Sequence, residues 1–126
     1  MGLSYTMLVL KNPRDESIQP VEIQALADTG SVFLIIPEHI RLQLGLEELN
    51  KKEVTFADGS RKMLPYVGPI ECRFKNRAAY VGAVVTGDEV LLGAIPMEDM
   101  DLIVLPRQRM VDVNPLNPNF ASAKAK

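Results

Sequence analysis

The sequence predicts a small, single-domain protein that is rich in β-strand, and three observations support that fold class. Its 126 residues are a normal length for one domain and short for two. Hydrophobic residues make up 47% of the chain and charged residues 24%, which is ordinary for a soluble globular domain. Nine prolines and eight glycines are spread along the chain, so the apolar runs between them are short and are separated by turns.

The first part of the chain predicts three strands and a short helix. Residues 4–11 have the apolar and β-branched content of a strand, and a polar turn follows them. Apolar and polar residues alternate over 21–25, which is the period of a half-buried strand. The apolar run Val32–Ile36 has the length of a third strand. A helix is predicted over Pro37–Leu44, because a proline suits its first position and a glycine stands just past its end.

The rest of the chain predicts two hairpins and a short set of final elements. The charged residues 47–52 indicate a surface loop. The pair Asp58-Gly59 is typical of a tight hairpin turn, and Lys75–Arg77 would form the second turn. Residues 1–113 would form the domain, and the polar residues 114–126 a disordered tail. The predicted elements are strands at Val54–Phe56, Lys62–Val67, Ile70–Phe74, Ala78–Val85, Val90–Gly93, Leu102–Leu105 and Met110–Val113, and one helical turn at Pro96–Met100.

A weak internal similarity relates two parts of the chain. Ala25–Ile40 runs through an apolar strand, a glycine turn, an apolar run, a proline and a helix. Val90–Ile103 follows a similar order around Gly93. Two such units suggest a pseudo-symmetric β domain, although any β-rich chain contains glycine turns and prolines.

The motif that carries chemical information is Asp28–Ser31, which lies between an apolar strand and a second apolar run. A carboxylate at the end of a buried strand is costly unless specific groups hold it. Gly30 lets the chain turn sharply and brings backbone N–H groups close to the carboxylate. Thr29 offers a hydroxyl that can bond to backbone or to another chain, and the Ser31 hydroxyl can orient the acid.

Apolar residues followed by Ala27–Ser31 resemble the active-site loop of retropepsin-like aspartic proteases. The hairpin at Asp58-Gly59 falls where that family carries its flap, and Val90–Gly93 resembles the segment before its C-terminal helix. The resemblance covers roughly residues 4–113 and is closest to the bacterial and archaeal single-domain members. It implies an all-β fold, a small closed β-barrel of the retropepsin type with one or two short helices.

The resemblance also implies an aspartic endopeptidase that works as a homodimer on peptide or protein substrates, without a cofactor or metal. This chemistry needs two carboxylates that share a proton, and the chain has one Asp-Thr-Gly. Gly93 stands where a two-lobed enzyme would repeat the motif, so Asp28 from each of two subunits would meet on a two-fold axis. Thr29 would bond across that axis. Residues 4–11 and 102–113 would contribute to the dimer interface.

The implied site residues fall into two groups. The catalytic group is Asp28, Thr29 and Gly30, and the substrate-binding group is Ser31, Ala57, Asp58, Gly59 and Ser60. Four apolar residues are candidate substrate walls by analogy of position, although core is the more common role for any one of them. They are Val32, Leu34, Leu64 and Ile95.

A second function class stays open, a non-proteolytic dimer or peptide-binding module that keeps the fold. The sequence departs from the retroviral pattern after Gly93, where Ala94–Pro96 replaces the Arg and Asn types that brace the retroviral dimer. A different brace or a weaker dimer is therefore expected.

Several other functions find little support. A formal charge of −2 gives no reason to expect nucleic acid or an anionic membrane as partner, and no apolar run approaches the ~20 residues of a membrane span. Met7–Leu10 is too short for the apolar core of a signal peptide, so the default location is cytoplasmic.

Cys72 cannot form an internal disulfide, because it is the sole cysteine, and is predicted to be a strand residue without a redox role. His39 is predicted to be a solvated helix residue, and the acidic run 98–101 needs no metal ion to explain it.

Overall fold

The computed structural model describes residues 3–125, which contain nine strands and two short helices. The strands are β1 (Tyr5–Lys11), β2 (Val21–Ala27), β3 (Leu34–Ile36), β4 (Glu47–Thr55), β5 (Arg61–Phe74), β6 (Arg77–Val85), β7 (Val90–Leu92), β8 (Leu102–Leu105) and β9 (Met110–Val113). The helices are α1 (Glu38–Leu44) and α2 (Ala94–Met100). Neither helix in this described part of the chain is long and apolar enough to cross a membrane.

Six of the strands close into a barrel. Their order is β1-β2-β7-β3-β6-β5, and pairing between β1 and β5 closes the ring. The pairs β2–β7 and β3–β6 are parallel, whereas the others are antiparallel. The predicted all-β closed barrel with two short helices is therefore confirmed.

The core fills the inside of this barrel. Alternate residues of β1 point inward, so that Leu8 and Leu10 are fully buried, while Met7 stays half exposed. Helix α1 packs its Ile40 and Leu44 side chains against the barrel end. The remaining large, fully buried apolar side chains are Leu34, Ile36, Val67, Ile70, Val84, Val90, Leu92 and Met100.

The end of α1 follows the signal in the sequence, whereas the start of α2 depends on tertiary contacts. Gly45 ends α1 in the left-handed conformation with φ +62°, as a glycine at this position predicts. Helix α2 begins at Ala94, two residues before the predicted helical turn. The backbone N–H groups of Ala94 and Ile95 donate to the carbonyl oxygens of Ser31 and Val32 at 2.8 and 2.9 Å. These bonds satisfy donors that a first helical turn leaves free, so the helix can start earlier.

The prediction of a surface loop over residues 47–52 is wrong, because these residues belong to β4. This strand pairs with β5 from Glu47 opposite Gly68 to Thr55 opposite Arg61, with one register shift between Glu48 and Asn50. Most of its side chains are exposed, since the hairpin projects from the barrel with solvent on both faces. Its composition is therefore as polar as that of a loop, and the pairing with β5 decides its conformation.

The C-terminal residues lie against the barrel. Strands β8 and β9 form a separate two-stranded sheet, and residues 114–125 have no helix or strand. The guanidinium of buried Arg77 donates to the carbonyl oxygen of Asn117, and the Asn76 amide donates to that of Pro118 at 3.0 Å. These contacts tie part of the predicted disordered tail to the barrel; the division of the chain after residue 113 stays a prediction.

One carboxylate organises this C-terminal segment. Asp101 ends α2, and its side chain accepts hydrogen bonds from the amide groups of Asn114 and Asn117 at 3.1 and 2.7 Å. It also accepts the backbone N–H of Ser122 at 3.1 Å. The bond from Asn114, followed by those from Ser122 and Asn117, holds the pKa of the Asp101 carboxyl below its usual value.

We expect Asp101→Asn to loosen residues 114–122. Asparagine tolerates the left-handed backbone at this position but removes the charge that three donors share. Because the folded pKa lies below the unfolded one, the carboxylate stabilises the segment at neutral pH, and this contribution is lost as pH falls through the folded pKa. Hydrogen exchange of the Ser122 amide should therefore be faster in the variant at neutral pH, with a smaller difference in acid.

The matched control for this change is Asp99→Asn, which alters an exposed carboxylate two residues earlier. It should leave the exchange rate of Ser122 as in the wild type. Equal exchange in the wild type and Asp101→Asn would show that the carboxylate does not hold the segment.

Candidate active site

Asp28 stands directly after β2, where the barrel sheet holds the chain from both sides. The parallel pairing of β2 with β7 sets Ala27 opposite Leu92, and the Asp28 N–H donates to the carbonyl oxygen of Leu92 at 3.0 Å. On the other side, the Ala27 N–H donates to the carbonyl oxygen of Ser4 at 2.8 Å. The backbone that carries Asp28 is therefore part of the rigid sheet, although the residue itself is half-buried.

The residues after Asp28 turn back and bind its carboxylate. The Gly30 N–H donates to Oδ1 at 3.0 Å, and the Ser31 hydroxyl donates to Oδ2 at 3.3 Å. The Ser31 N–H donates to the Asp28 carbonyl oxygen at 3.0 Å and closes the turn. Thr29, at the tip of this loop, is exposed. Both oxygens of the carboxylate thus have a donor from its own loop.

Gly93 occupies the position that corresponds to Asp28 in the neighbouring strand. The register that pairs Ala27 with Leu92 places Gly93 one residue past β7, as Asp28 lies one residue past β2. A Cβ atom at Gly93 would lie 2.2 Å from the carbonyl oxygen of Phe33 and 2.8 Å from that of Ser31. The backbone φ of −85° suits any residue, so a glycine is needed here for space.

Asp28 opens into a groove between the barrel and the β4–β5 hairpin. The cavity has a volume of about 620 Å³, which is in the range of ligand-binding pockets. Its floor comes from the Asp28 loop and from Ile35 of β3 and Leu91 of β7, whose side chains alternate with the buried core residues of these strands. Its roof comes from the end of β4 and the two residues that follow it. The lining residues are Asp28, Gly30, Ser31, Ile35, Val54, Thr55, Phe56, Ala57, Thr86, Gly87, Asp88, Glu89 and Leu91.

A smaller lobe of about 270 Å³ adjoins this groove and shares Gly30, Ser31, Ile35, Val54 and Thr55 with it. Its other walls are Val32, Phe33, Val84 and Glu53, so it is mostly apolar. A groove with two lobes beside one carboxylate can hold an extended chain with its side chains in separate pockets.

The tip of the hairpin is an ordered turn at Asp58-Gly59, as the sequence predicts. The Asp58 carboxylate accepts the hydroxyl and the backbone N–H of Ser60 at 2.6 and 2.9 Å, and these bonds lower the pKa of its carboxyl. Of the four predicted substrate-binding residues here, Ala57 lines the groove, whereas Asp58, Gly59 and Ser60 do not. The substrate-binding role of all four stays a prediction.

The candidate wall residues have different surroundings. Val32 lines the smaller lobe, but Leu34 is buried in the core and Ile95 is exposed on another face beside Tyr80. Leu64 lines neither lobe. Sequence reasoning missed Ile35, Val54 and the loop 86–89 as lining residues. A polar Gly-containing turn between two apolar strands is the only signal of that loop, and it does not indicate what the loop faces.

The other reactive side chains lie away from the groove. Cys72 is buried in β5, and burial raises the pKa of its thiol to about 12, which keeps it protonated and unreactive. His39 is exposed on α1. Within residues 3–125, no three His, Cys, Asp or Glu side chains are grouped as a metal site would require.

A closed six-stranded barrel, an Asp-Thr-Gly-Ser loop at the end of a strand and a hairpin over that loop together define a retropepsin-like fold. The same fold is found in the EIAV protease, whose structure was solved in a complex with the inhibitor HBY-793. That structure superimposes with a TM-score of 0.59 at 16% sequence identity, and the match covers 78% of this chain and 88% of that chain. At this identity the similarity establishes the fold alone. No protein-family model and no curated protein matches the sequence, so the bacterial or archaeal type stays a prediction.

Proposed function

We propose that the chain is an aspartic endopeptidase that acts as a homodimer, with Asp28 of each subunit in one shared site. The observation that carries this proposal is the position of Asp28. Its carboxylate is held by the Gly30 N–H and the Ser31 hydroxyl, and it opens into a groove of about 620 Å³ under a hairpin. A positioned carboxylate in a peptide-sized groove suits general acid–base hydrolysis.

The second carboxylate would come from a second subunit. The chain has one Asp-Thr-Gly, and Gly93 stands in the corresponding position on β7, where it has no side chain to offer. A two-fold axis beside the exposed Thr29 would bring the two Asp28 loops together in an isologous contact. Thr29 is exposed in its loop, and its hydroxyl would bond across this axis.

The two carboxyl groups would divide the chemistry between them. Like charges a few ångströms apart cannot both ionise, so one carboxyl stays protonated while the other is a carboxylate. The carboxylate takes a proton from water, and the resulting hydroxide adds to the peptide carbonyl carbon. The protonated partner donates to the carbonyl oxygen, and proton transfer to the amide nitrogen then releases the amine product. This arrangement predicts an optimum below neutral pH.

Substrate would bind in an extended conformation below the hairpin. The end of β4 and the two residues after it form the roof of the groove through Val54–Ala57, and backbone groups at a hairpin can pair with an extended peptide. The apolar smaller lobe would take one side chain of that peptide. Closure of the hairpin would exclude water from the reacting bond.

The direct test is cleavage of a diverse peptide library over roughly pH 3–7, the range in which carboxyl groups titrate. We expect cleavage that pepstatin inhibits and a rate per subunit that falls on dilution, because each monomer holds half of a site. Sedimentation over the same concentrations should show the dimer dissociating as the rate falls. A constant rate per subunit where only monomer is present would contradict the shared site.

The second candidate is a peptide-binding module without proteolytic activity. The groove in a single chain favours it, because one carboxylate and two lobes suffice to bind a peptide. Peptide binding without pepstatin-sensitive cleavage would support the module and contradict the protease. A cytoplasmic location stays a prediction under either function.

A further inference from the structure

The groove beside Asp28 carries an excess of negative charge. Its charged lining residues are Asp28, Asp88 and Glu89, and the only charged residue of the smaller lobe is Glu53. No lysine or arginine among the described residues lines either lobe. The chain as a whole is nearly neutral, with 14 basic and 16 acidic residues. The acidic character therefore belongs to the groove and does not follow from the net charge of the chain.

The carboxylates of the loop between β6 and β7 have no cation of their own. Asp88 and Glu89 are exposed, and none of the ion pairs within residues 3–125 includes them. Lys52 and Lys62 on the hairpin lie over aromatic rings, 4.7 Å from the Tyr66 ring and 5.9 Å from the Phe56 ring, and line neither lobe. A cation that enters the groove would thus meet two free carboxylates.

We propose that this groove selects peptides with a lysine or arginine side chain near the bond to be cut, and that Asp88 and Glu89 recognise the cation. This inference rests on the proposed function, since the groove is taken as the peptide site. A partly enclosed groove lined by one sign of charge focuses the field and attracts the opposite charge. Two adjacent carboxylates also match the several N–H donors of a guanidinium or an ammonium group.

A divalent metal ion is a less suitable occupant than an organic cation. In the described part of the chain, no third His, Cys, Asp or Glu joins Asp88 and Glu89 in a group of the kind that binds metals. The groove also has apolar walls in Ile35 and Leu91, against which the methylene stem of a lysine or arginine can pack.

The test compares peptides that differ at one position, where lysine is replaced by methionine, a residue of similar length without charge. The replaced position is moved stepwise along both sides of the cleaved bond, at about pH 5.5, where ordinary carboxyl groups are ionised. At the best position we expect kcat/KM for the lysine peptide to be about fivefold higher or more, the size of one ion pair at about 4 Å in water. The ratio should fall as salt is added, because salt screens the interaction.

The variant that tests the assignment is the double change Asp88→Asn and Glu89→Gln. It removes both charges at nearly constant shape and should lower the lysine-to-methionine ratio toward one, although Asp28 and Glu53 remain in the groove. The matched control is Glu98→Gln with Asp99→Asn, which removes two adjacent charges on α2, outside both lobes. The control should keep the wild-type ratio. A salt-independent ratio in the wild type, or an unchanged ratio in the Asp88/Glu89 variant, would overturn the inference.

A binding measurement separates this inference from the proposed function. Fluorescence anisotropy of the same peptides with Asp28→Asn protein reports recognition without cleavage. Cleavage by the wild type with no preference for lysine overturns the inference and leaves the protease standing. Salt-sensitive binding of the lysine peptide, with no cleavage by the wild type, overturns the protease and supports the inference. Neither binding nor cleavage of any peptide overturns both.

Discussion

Asp28→Asn protein is expected to lose peptide cleavage while it keeps its fold and the proposed dimer. General acid–base catalysis contributes about 10²–10⁴-fold to such reactions, and the substitution would remove both carboxylates of the proposed shared site at once. An asparagine side chain can still accept the Gly30 N–H through its oxygen, and its amide can donate to the Ser31 hydroxyl. The loop therefore keeps its hydrogen bonds, and only the ability to exchange a proton is lost.

The measurement is kcat/KM on the best library peptide, together with thermal unfolding and sedimentation of the same preparation. Asp99→Asn is the matched control, because it makes the same chemical change at an exposed residue outside the groove and should leave activity as in the wild type. Cleavage at the same bond by Asp28→Asn protein, purified free of other proteases, would refute the catalytic role of Asp28.

Gly93→Ala is expected to destabilise the protein more than any other substitution proposed here. The added Cβ would stand 2.2 Å from the carbonyl oxygen of Phe33, and this neighbour is backbone that cannot rotate away. The same loops are joined by the hydrogen bonds of Ala94 and Ile95 to the carbonyl oxygens of Ser31 and Val32, which must stretch if the loops separate. We expect the free energy of unfolding to fall by about 3 kcal/mol, the upper end of the cost of overpacking a core.

The control for backbone effects is Gly87→Ala, and both variants are measured by denaturant unfolding. Gly87 has φ +71° with nothing near its missing Cβ, so this change tests strain without a steric clash and should cost about 1–2 kcal/mol. Gly93 has an ordinary φ, so its cost would come from the clash alone. If Gly93→Ala proves no more destabilising than Gly87→Ala, a Cβ at position 93 does not clash with the Phe33 carbonyl oxygen.

Gly93 also shows how far the internal similarity in the sequence extends. The units around Asp28 and Gly93 do correspond in space, because β2 and β7 pair in parallel with Ala27 opposite Leu92. After these strands they diverge: the first unit continues into β3, whereas the second enters α2 at once. The contact of Gly93 with Phe33 is one of several that join the two units, beside the β2–β7 pairing and the hydrogen bonds of Ala94 and Ile95, and no local pattern predicts it.

Local sequence was enough to predict the elements whose conformation depends on neighbouring residues. The Asp28–Ser31 turn, the left-handed helix end at Gly45 and the hairpin turn at Asp58-Gly59 follow from glycine and from short polar side chains that bond to their own backbone. The closed barrel was predicted through the resemblance that the Asp28 motif carries.

Other features depend on distant parts of the chain, and these became visible in the folded structure alone. Glu47–Thr55 is a strand because β5 pairs with it, although its own residues are typical of a loop. Asp88 and Glu89 line the groove because barrel closure brings their loop beside Asp28, 60 residues earlier in the sequence. Local composition cannot predict either contact, because the groups that make each contact meet only after the sheet has closed.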